Sequence, residues 1–269
     1  MNSGAGWNLM GRRLFAIVAV AIGASPAFSL ELPQPAALTR RILELRRGST
    51  VRARGRLVVT DARKRQRVFQ ILVIRKPLAR GANMLWSVTE PPEARTRILV
   101  ESPLEGRPTV WLVSGARGAA AVLPVARWAM AILGSHLTVE DLIDDYLTWP
   151  KQSVTGEEAV SEKMCYVLRS EAAEGGASAY RSVTTWVDQA TLVPLRILKE
   201  PRGPGAPKEI LSRGIRQSGG HWAASNIEIR IRGAAGSTRI VFTGGSEHAR
   251  VKDSEVDPKF ALGADPDGR

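Results

Sequence analysis

The residues best suited to acid/base or metal chemistry lie close together in the sequence, where His136 is followed by Glu140 and Asp141. His136 and Glu140 are four residues apart and would share a helical face, as some acid/base or metal pairs do. One hypothesis is therefore an enzyme that uses these three residues. The other is structural: Thr138 would cap a short helix, His136 would lie before its start, and the acids would occupy a first turn where the helix dipole favours them.

The remaining reactive side chains add no second catalytic group. His221 and His248 are too far from His136 for a zinc or triad spacing, and no phosphate-binding glycine motif is present. Cys165 is the only cysteine, and the start of an apolar strand around it predicts a buried thiol. We therefore predict that the protein is not an enzyme and needs no metal or cofactor.

The N-terminus has the pattern of a secretory signal peptide, since two arginines precede an apolar run from Leu14 to Ala24 and small residues follow. This run is too short to span a bilayer of about 30 Å, which argues against a retained anchor. We predict cleavage after Ser29, with Ala27 as the alternative. Residues 1–29 would then be the signal, 30–262 the folded domain and 263–269 a disordered tail.

The chain is basic, with a formal net charge of +12, which falls to +10 when the two signal arginines are removed. This charge favours anionic partners such as lipid headgroups, lipopolysaccharide or nucleic acid. The basic residues are scattered along the sequence, however, so an ordinary solvated surface remains an equal alternative.

Regular periodicity predicts one helix followed by many strands. Pro35 to Arg46 forms an amphipathic pattern that Gly48 would end, with Leu38, Ile42 and Leu45 facing the sheet. Alternating β-prone segments separated by turn residues then predict an antiparallel meander of roughly ten or eleven strands in one continuous sheet, with two or three helices. The segments are Val51–Thr60, Arg67–Arg75, Met84–Glu90, Arg97–Ser102, Thr109–Val113, Met164–Ser170, Ser182–Asp188, Val193–Glu200, Glu209–Gln217, Trp222–Arg232 and Ser237–Thr243.

The stretch from Trp111 to Tyr146 interrupts this pattern between two runs of strands, and we predict that it closes one side of the sheet as a flap. Within it, Thr138 to Tyr146 is predicted to form a short helix. Its inward residues would be Leu142, Ile143 and Leu147, and its outward residues Asp141, Asp144 and Asp145.

Several segments in this order resemble the outer-membrane lipoprotein-sorting-like proteins, relatives of the LolA and LolB carriers. Gly134–Leu142 resembles their Gly-Ser-Asp-Phe-Ser/Thr-Tyr-Glu-Asp-Leu signature, although His136 replaces the aspartate and Val139 the aromatic residue. The other matching segments are Trp111-Leu112, Cys165-Tyr166-Val167-Leu168, Trp186-Val187-Asp188 with Pro194, and Pro258-Lys259-Phe260.

The resemblance implies a mainly β (α+β) fold: a single curved antiparallel sheet forming an unclosed β-barrel around a hydrophobic cavity, lidded by short helices. It also implies a periplasmic protein that shields acyl chains, and partners such as resistance-nodulation-division (RND) type lipid exporters. The candidate cavity-lining residues are Phe69, Ile71, Val73, Leu85, Leu99, Leu112, Met130, Leu133, Val183, Ile197 and Ile229, for each of which ordinary core packing is the alternative. Candidate headgroup-binding residues are Arg95, Arg97 and Arg127, for which a solvated surface is the alternative.

Two functions follow from this interpretation. The first is a carrier or chaperone for lipid or lipoprotein acyl chains between the inner and outer membranes, in transient contact with membrane surfaces. The second is a non-carrier scaffold or partner subunit of an envelope transporter, with the same fold and a filled interior. In either case we expect a monomer that does not bind nucleic acid.

Overall fold

The computed structural model describes residues 31–115, 118–143, 145–218, 221–246 and 250–262. The predicted signal peptide and the predicted disordered tail lie outside these residues. Within the described ranges, no helix is both long and apolar enough to cross a membrane.

The described residues form thirteen strands that belong to one antiparallel sheet. The first half of the chain contributes β1 (Val51–Thr60), β2 (Gln66–Leu78), β3 (Gly81–Glu90), β4 (Thr96–Pro103), β5 (Thr109–Ser114) and β6 (Ala121–Val122). The second half contributes β7 (Lys151–Val160), β8 (Lys163–Glu171), β9 (Tyr180–Asp188), β10 (Pro194–Pro201), β11 (Lys208–Ser218), β12 (His221–Ile231) and β13 (Ser237–Ser246).

Each half is a meander, and the two halves join in the middle of the sheet. The strand order is β6-β5-β4-β3-β2-β1-β13-β12-β11-β10-β9-β8-β7, so β1 pairs with β13 and the two edges are β6 and β7. Side chains from β4 and β5 share one core cluster with side chains from β8 and β9, which lie towards the other edge. The sheet is therefore curled, and it is not closed. The predicted fold class is confirmed.

Helix α1 (Pro35–Arg47) packs on the concave face of this sheet. Leu38 and Ile42 are buried in the main core cluster, as their spacing predicts. The prediction for Leu45 is wrong, because its side chain is 44% exposed. Leu43, the residue after Ile42, packs against the cluster instead.

The first half of the sheet is covered on both faces. On β2, Phe69 and Ile71 belong to the main cluster inside the curve, whereas Leu72 and Ile74 belong to a second cluster outside it. The chain's C-terminal part covers this outer face with a 3-10 turn (Asp253–Val256) and helix α2 (Pro258–Ala261). This is why β2 carries apolar residues on both of its faces.

Candidate functional site: a lidded concave face

The segment between β6 and β7, residues 123–149, covers the concave face of the sheet, and we call it the lid. It consists mainly of short 3-10 turns, so the predicted helix from Thr138 to Tyr146 is instead two turns, Val139–Leu142 and Asp145–Thr148. Its apolar side chains fill the inside of the curve. Those buried in the main core cluster are Leu123, Trp128, Ile132, Leu137, Val139, Ile143, Tyr146 and Leu147.

Residues Gly134 to Leu142 dock the lid onto the strands by polar contacts. Leu133 and Gly134 both have positive φ angles (53° and 63°), which turn the chain sharply before the docking residues. Thr138 then forms a capping box with Asp141: its backbone N–H and its hydroxyl each donate to Asp141 Oδ2 at 2.8 Å. The predicted cap at Thr138 is confirmed.

His136 attaches this segment to β13. Its backbone N–H donates to the Thr238 hydroxyl at 2.8 Å, and its Nδ1 lies 3.0 Å from the same oxygen. Thr238 is fully buried on the concave face. Burial, and then the charge of Lys208, lower the pKa of His136 below its ordinary value, so the neutral ring is favoured at this position.

Asp141 lies at the centre of a buried ionic cluster. Lys199 Nζ is 2.8 Å from Asp141 Oδ1, and Lys208 Nζ is 2.6 Å from Asp141 Oδ2. The side chains of Asp141, Lys199 and Lys208 are 1%, 3% and 6% exposed. The prediction that Asp141 points outward is therefore wrong: the carboxylate is drawn inward by two ammonium groups that repay its loss of hydration. Asp144 lies outside the described residues.

The opposite charges of this cluster stabilise one another. Burial alone would raise the pKa of Asp141, but the charges of Lys199 and Lys208 outweigh it and hold the pKa well below its usual range. Burial alone would lower the pKa of Lys199, but the charge of Asp141 outweighs it and raises the pKa. We call Asp141, Lys199 and Lys208 the latch, because they join the lid to β10 and β11.

Glu140 makes a separate attachment. Its buried carboxylate accepts hydrogen bonds from the Ser178 hydroxyl and from the Ala179 N–H, the latter at 3.3 Å. His136 and Glu140 therefore contact different segments, β13 and the residues just before β9, and the three residues that suggested catalysis all hold the lid in place. Among the residues that the structure describes, no group of three or more His, Cys, Asp or Glu side chains could hold a metal ion.

A cleft of about 370 Å³ opens where the lid, α1 and the sheet meet. Its walls include apolar side chains, among them Met84 and Leu142, and its basic side chains come from α1 and β2. Those basic residues are Arg46, Arg47 and Arg75. Met84 and Leu142 also pack against the main core cluster, so the cleft is a mouth of the concave face. Its volume falls within the range typical of small-molecule sites.

The structure brings together nine of the eleven predicted cavity residues. Leu85 and Leu99 lie in the second cluster, outside the curve, and so are separated from the others. The nine that belong to or pack against the main cluster are Phe69, Ile71, Val73, Leu112, Met130, Leu133, Val183, Ile197 and Ile229.

The three predicted headgroup residues do not form one group. Arg97 Nη1 donates to Ala261 O of the C-terminal helix at 3.4 Å, outside the curve. Arg127 lies in the lid, where its guanidinium is 3.6 Å from Met130 Sδ, and Arg95 lies in the turn between β3 and β4. Two buried basic residues that face the lid, Lys199 and Lys208, were not predicted. The sequence nevertheless carries a signal for them, because side chains two residues apart on a strand face the same side of the sheet. Lys199 and Lys208 each lie two residues from an inward isoleucine, Ile197 or Ile210.

A protein-family model described as an uncharacterized protein matches residues 81–255, more than half of the chain. No curated protein matches the chain at a significant level.

Solved structures match the fold across nearly their whole length. A DUF1329 family protein from Desulfovibrio piger is 17% identical, with a TM-score of 0.75, and the match covers 85% of this chain and 97% of that one. A protein from Vibrio parahaemolyticus described as an outer-membrane lipoprotein-sorting protein domain is also 17% identical, with a TM-score of 0.74 and coverage of 85% and 96%. A LolA superfamily protein from Nitrosomonas europaea is 14% identical, with a TM-score of 0.62 and coverage of 84% and 98%. The fold is therefore the one that the sequence resemblance implies.

Proposed function

This chain belongs to the protein family whose model matches residues 81–255, and from that premise we propose that it is a periplasmic carrier for lipid or lipoprotein acyl chains. One observation carries the proposal: the apolar concave face of an unclosed sheet is covered by a lid whose β-bridge among the described residues, Ala131 to Thr138, lies within the lid and does not join it to a strand. Such a lid can lift without breaking the sheet.

Acyl chains suit the surface that a raised lid would uncover. Side chains such as Ile132 and Leu137 of the lid now cover the strands, and hydrocarbon can replace them with similar contacts. Each buried CH₂ group contributes about 0.8 kcal/mol, so a sixteen-carbon chain gains roughly 12 kcal/mol before the cost of ordering it. The affinity of the site would therefore come from apolar area.

The envelope location and the partner are part of the same proposal. The N-terminal signal pattern supports export, and the relatives of this fold include one described as an outer-membrane lipoprotein-sorting protein. A carrier of this kind would move its cargo between the inner and outer membranes, and an RND-type lipid exporter is the transporter we propose it serves. The open edge strands of the sheet offer such a partner a place to pair.

A disulfide across the lid tests this proposal directly. Because His136 contacts the Thr238 hydroxyl through both its backbone and its ring, we expect cysteines at these two positions to lie close enough to join. The oxidised His136→Cys/Thr238→Cys protein should not take up a fluorescent fatty acid, and reduction should restore uptake. His136→Cys and Thr238→Cys alone, treated in the same way, are the controls, and they also show whether Cys165 takes part.

Native mass spectrometry of protein purified from the periplasm provides the second readout, with co-purifying lipid as the expected result. Equal uptake by the locked and reduced forms would show that acyl chains do not enter beneath the lid.

The filled interior of the closed form favours one alternative, a scaffold that binds an envelope partner and carries nothing. A protein that is lipid-free after purification, and that takes up no fatty acid even with the lid reduced, would establish the scaffold instead.

A further inference from the structure

The latch contains more positive than negative charge. Lys199 and Lys208 are directly opposite each other on neighbouring antiparallel strands, where two like charges are destabilising. One carboxylate, that of Asp141, bridges both. His136 lies beside these three side chains and cannot balance the second lysine, because an imidazole is either neutral or positive; burial, and then the charge of Lys208, lower its pKa and favour the neutral form.

Two tyrosine rings lie beside the ammonium groups of the latch. Lys199 Nζ lies 5.5 Å from the ring centroid of Tyr146 and 5.1 Å from that of Tyr180, and Lys208 Nζ lies 5.6 Å from that of Tyr180. These rings stabilise the charges but satisfy none of the remaining N–H donors as an oxygen would. Asp141 is therefore the principal acceptor for both lysines, with Thr138 Oγ1 a weaker one at 3.4 Å from Lys208.

A second polar group faces inward on the next strand. Thr185 is fully buried, pairs with Ile197 on the concave side, and its hydroxyl has no hydrogen-bond partner among the described residues. An unsatisfied buried hydroxyl costs free energy, so its presence needs an explanation. It lies diagonally across from Lys199, at a separation of about 7 to 8 Å that cross-strand geometry sets.

The latch lies at one rim of the curled sheet. Lys199 and Lys208 flank the exposed turn between β10 and β11, whereas the cleft residues Ala82 and Ser102 lie at the opposite rim, beside the turn between β2 and β3. A lipid held with its headgroup at the latch would therefore lay its chains along the concave face towards the cleft.

We propose that Asp141 occupies the place of a ligand's anionic headgroup, so that Lys199 and Lys208 bind the phosphate or carboxylate of an anionic lipid when the lid is raised. This inference rests on the carrier function proposed above and adds the class of its cargo. Raising the lid removes Asp141 and leaves two adjacent ammonium groups on an apolar surface, which is unfavourable unless another anion replaces the carboxylate. An anionic lipid supplies that replacement, and a neutral one does not.

Matched pairs of short lipids test the charge preference. Dioctanoyl phosphatidylglycerol and dioctanoylglycerol share the same chains, but only the first carries a phosphate; decanoate and decanol differ in charge at the same chain length. In isothermal titration calorimetry, the wild-type protein should bind the anionic member of at least one pair about tenfold more tightly, since hydrogen bonds to charged groups have that magnitude. A preference within the glycerolipid pair alone identifies phosphate as the ligand group, and one within the decyl pair alone identifies carboxylate.

Lys199→Met is the informative variant, because it leaves Asp141 and Lys208 as a one-to-one pair and should fold normally. It should bind the neutral lipids as the wild type does and reduce the anionic preference to less than about threefold. Lys151→Met, at an exposed position on the edge strand β7, makes the same change in net charge and should keep the full preference.

The outcomes separate this inference from the carrier function. If both members of each pair bind the wild type equally, or if Lys199→Met keeps the preference while folded, the headgroup assignment is wrong and the carrier function stands. If none of the four lipids binds, the carrier function fails first, and this inference with it. Circular dichroism and urea midpoints of both variants establish that each is folded before binding is compared.

Discussion

Replacing Asp141 by asparagine would keep the shape of the side chain and remove its charge. The wild-type carboxylate accepts from Lys199 at 2.8 Å and from Lys208 at 2.6 Å, and all three side chains are almost fully buried. In the variant, two buried ammonium groups would share one neutral amide oxygen. Breaking a buried pair by removing one partner costs about 3 to 5 kcal/mol, because the other charge is left uncompensated.

We therefore expect Asp141→Asn to lower the free energy of unfolding by about 3 to 5 kcal/mol, measured by urea denaturation at pH 7 with tryptophan fluorescence. Asp253→Asn is the matched control. Asp253 also pairs with a lysine, Lys76, but its side chain is 81% exposed, so its loss should change stability by less than about 1 kcal/mol.

A triple variant tests the same reasoning from the opposite direction. Replacing Asp141 by leucine, together with Lys199→Met and Lys208→Met, removes all the charges at once. Because well-packed apolar side chains replace buried ion pairs at little loss, this protein should recover most of the stability that Asp141→Asn loses. If Asp141→Asn stays within 1 kcal/mol of the wild type, the lysines are hydrated and the lid is not seated as described.

The pH dependence gives a further check. Because burial of Asp141 is outweighed by the charges of Lys199 and Lys208, its pKa in the folded protein is well below that in the unfolded chain, which is about 4. The stabilisation is therefore fully present above about pH 4 and is lost as the pH falls towards the folded pKa. The difference between wild type and Asp141→Asn should stay constant from pH 7 to about pH 5 and shrink below pH 4.

Three further changes have defined outcomes. Burial and the charge of Lys208 lower the pKa of His136, so stability should fall as the pH drops from about 6.5 through the folded pKa; urea titrations at pH 7 and pH 5 should show a smaller fall for His136→Gln. Burial, and then the charge of the nearby Asp188, raise the pKa of the Cys165 thiol to about 11. A thiol reagent at pH 8 should therefore label Cys165 only as urea unfolds the protein. Rapid labelling of the native protein would contradict the burial of this thiol. Leu85→Ala should lose about 2 to 5 kcal/mol of stability yet take up a fluorescent fatty acid normally; reduced uptake by the folded variant would place Leu85 beside the ligand after all.

Most strands could be predicted from the sequence because each carries its own evidence. Segments such as Trp222 to Arg232 alternate apolar and polar residues, and Gly- and Pro-rich turns separate them from their neighbours. Strand β7 was not predicted because it lies at an edge: its residues from Lys151 to Val160 are exposed or half-buried, and within the sheet it pairs with β8 alone. An edge strand of this kind has a polar sequence that does not differ from a loop.

The latch could not be predicted from local sequence, because its partners come from distant parts of the chain. Lys199 and Lys208 follow Asp141 by 58 and 67 residues, and only the curl of the sheet brings them beneath the lid. Taken alone, Asp141 is a first-turn acid, and such acids usually face water. Leu85 and Leu99 show the same limit, since strands apolar on both faces do not reveal which face lies inside the curve.

Apolar contacts alone could hold the lid closed, so the buried ionic cluster at its interface needs another reason. Apolar side chains such as Ile132 and Leu137 already cover the strands, and apolar groups in place of all three latch residues would hold the lid at least as firmly. A buried ionic cluster therefore adds little to stability, but it makes closure depend on chemistry. Apolar contacts hold the lid closed whatever ligand is present. An anion that binds Lys199 and Lys208 better than Asp141 does can instead take the place of Asp141 and free the lid. If the latch serves this exchange, Lys199→Met should slow the uptake of an anionic lipid and leave the uptake of a neutral lipid and the fold unchanged; unchanged uptake of the anionic lipid by this variant would contradict an ionic release.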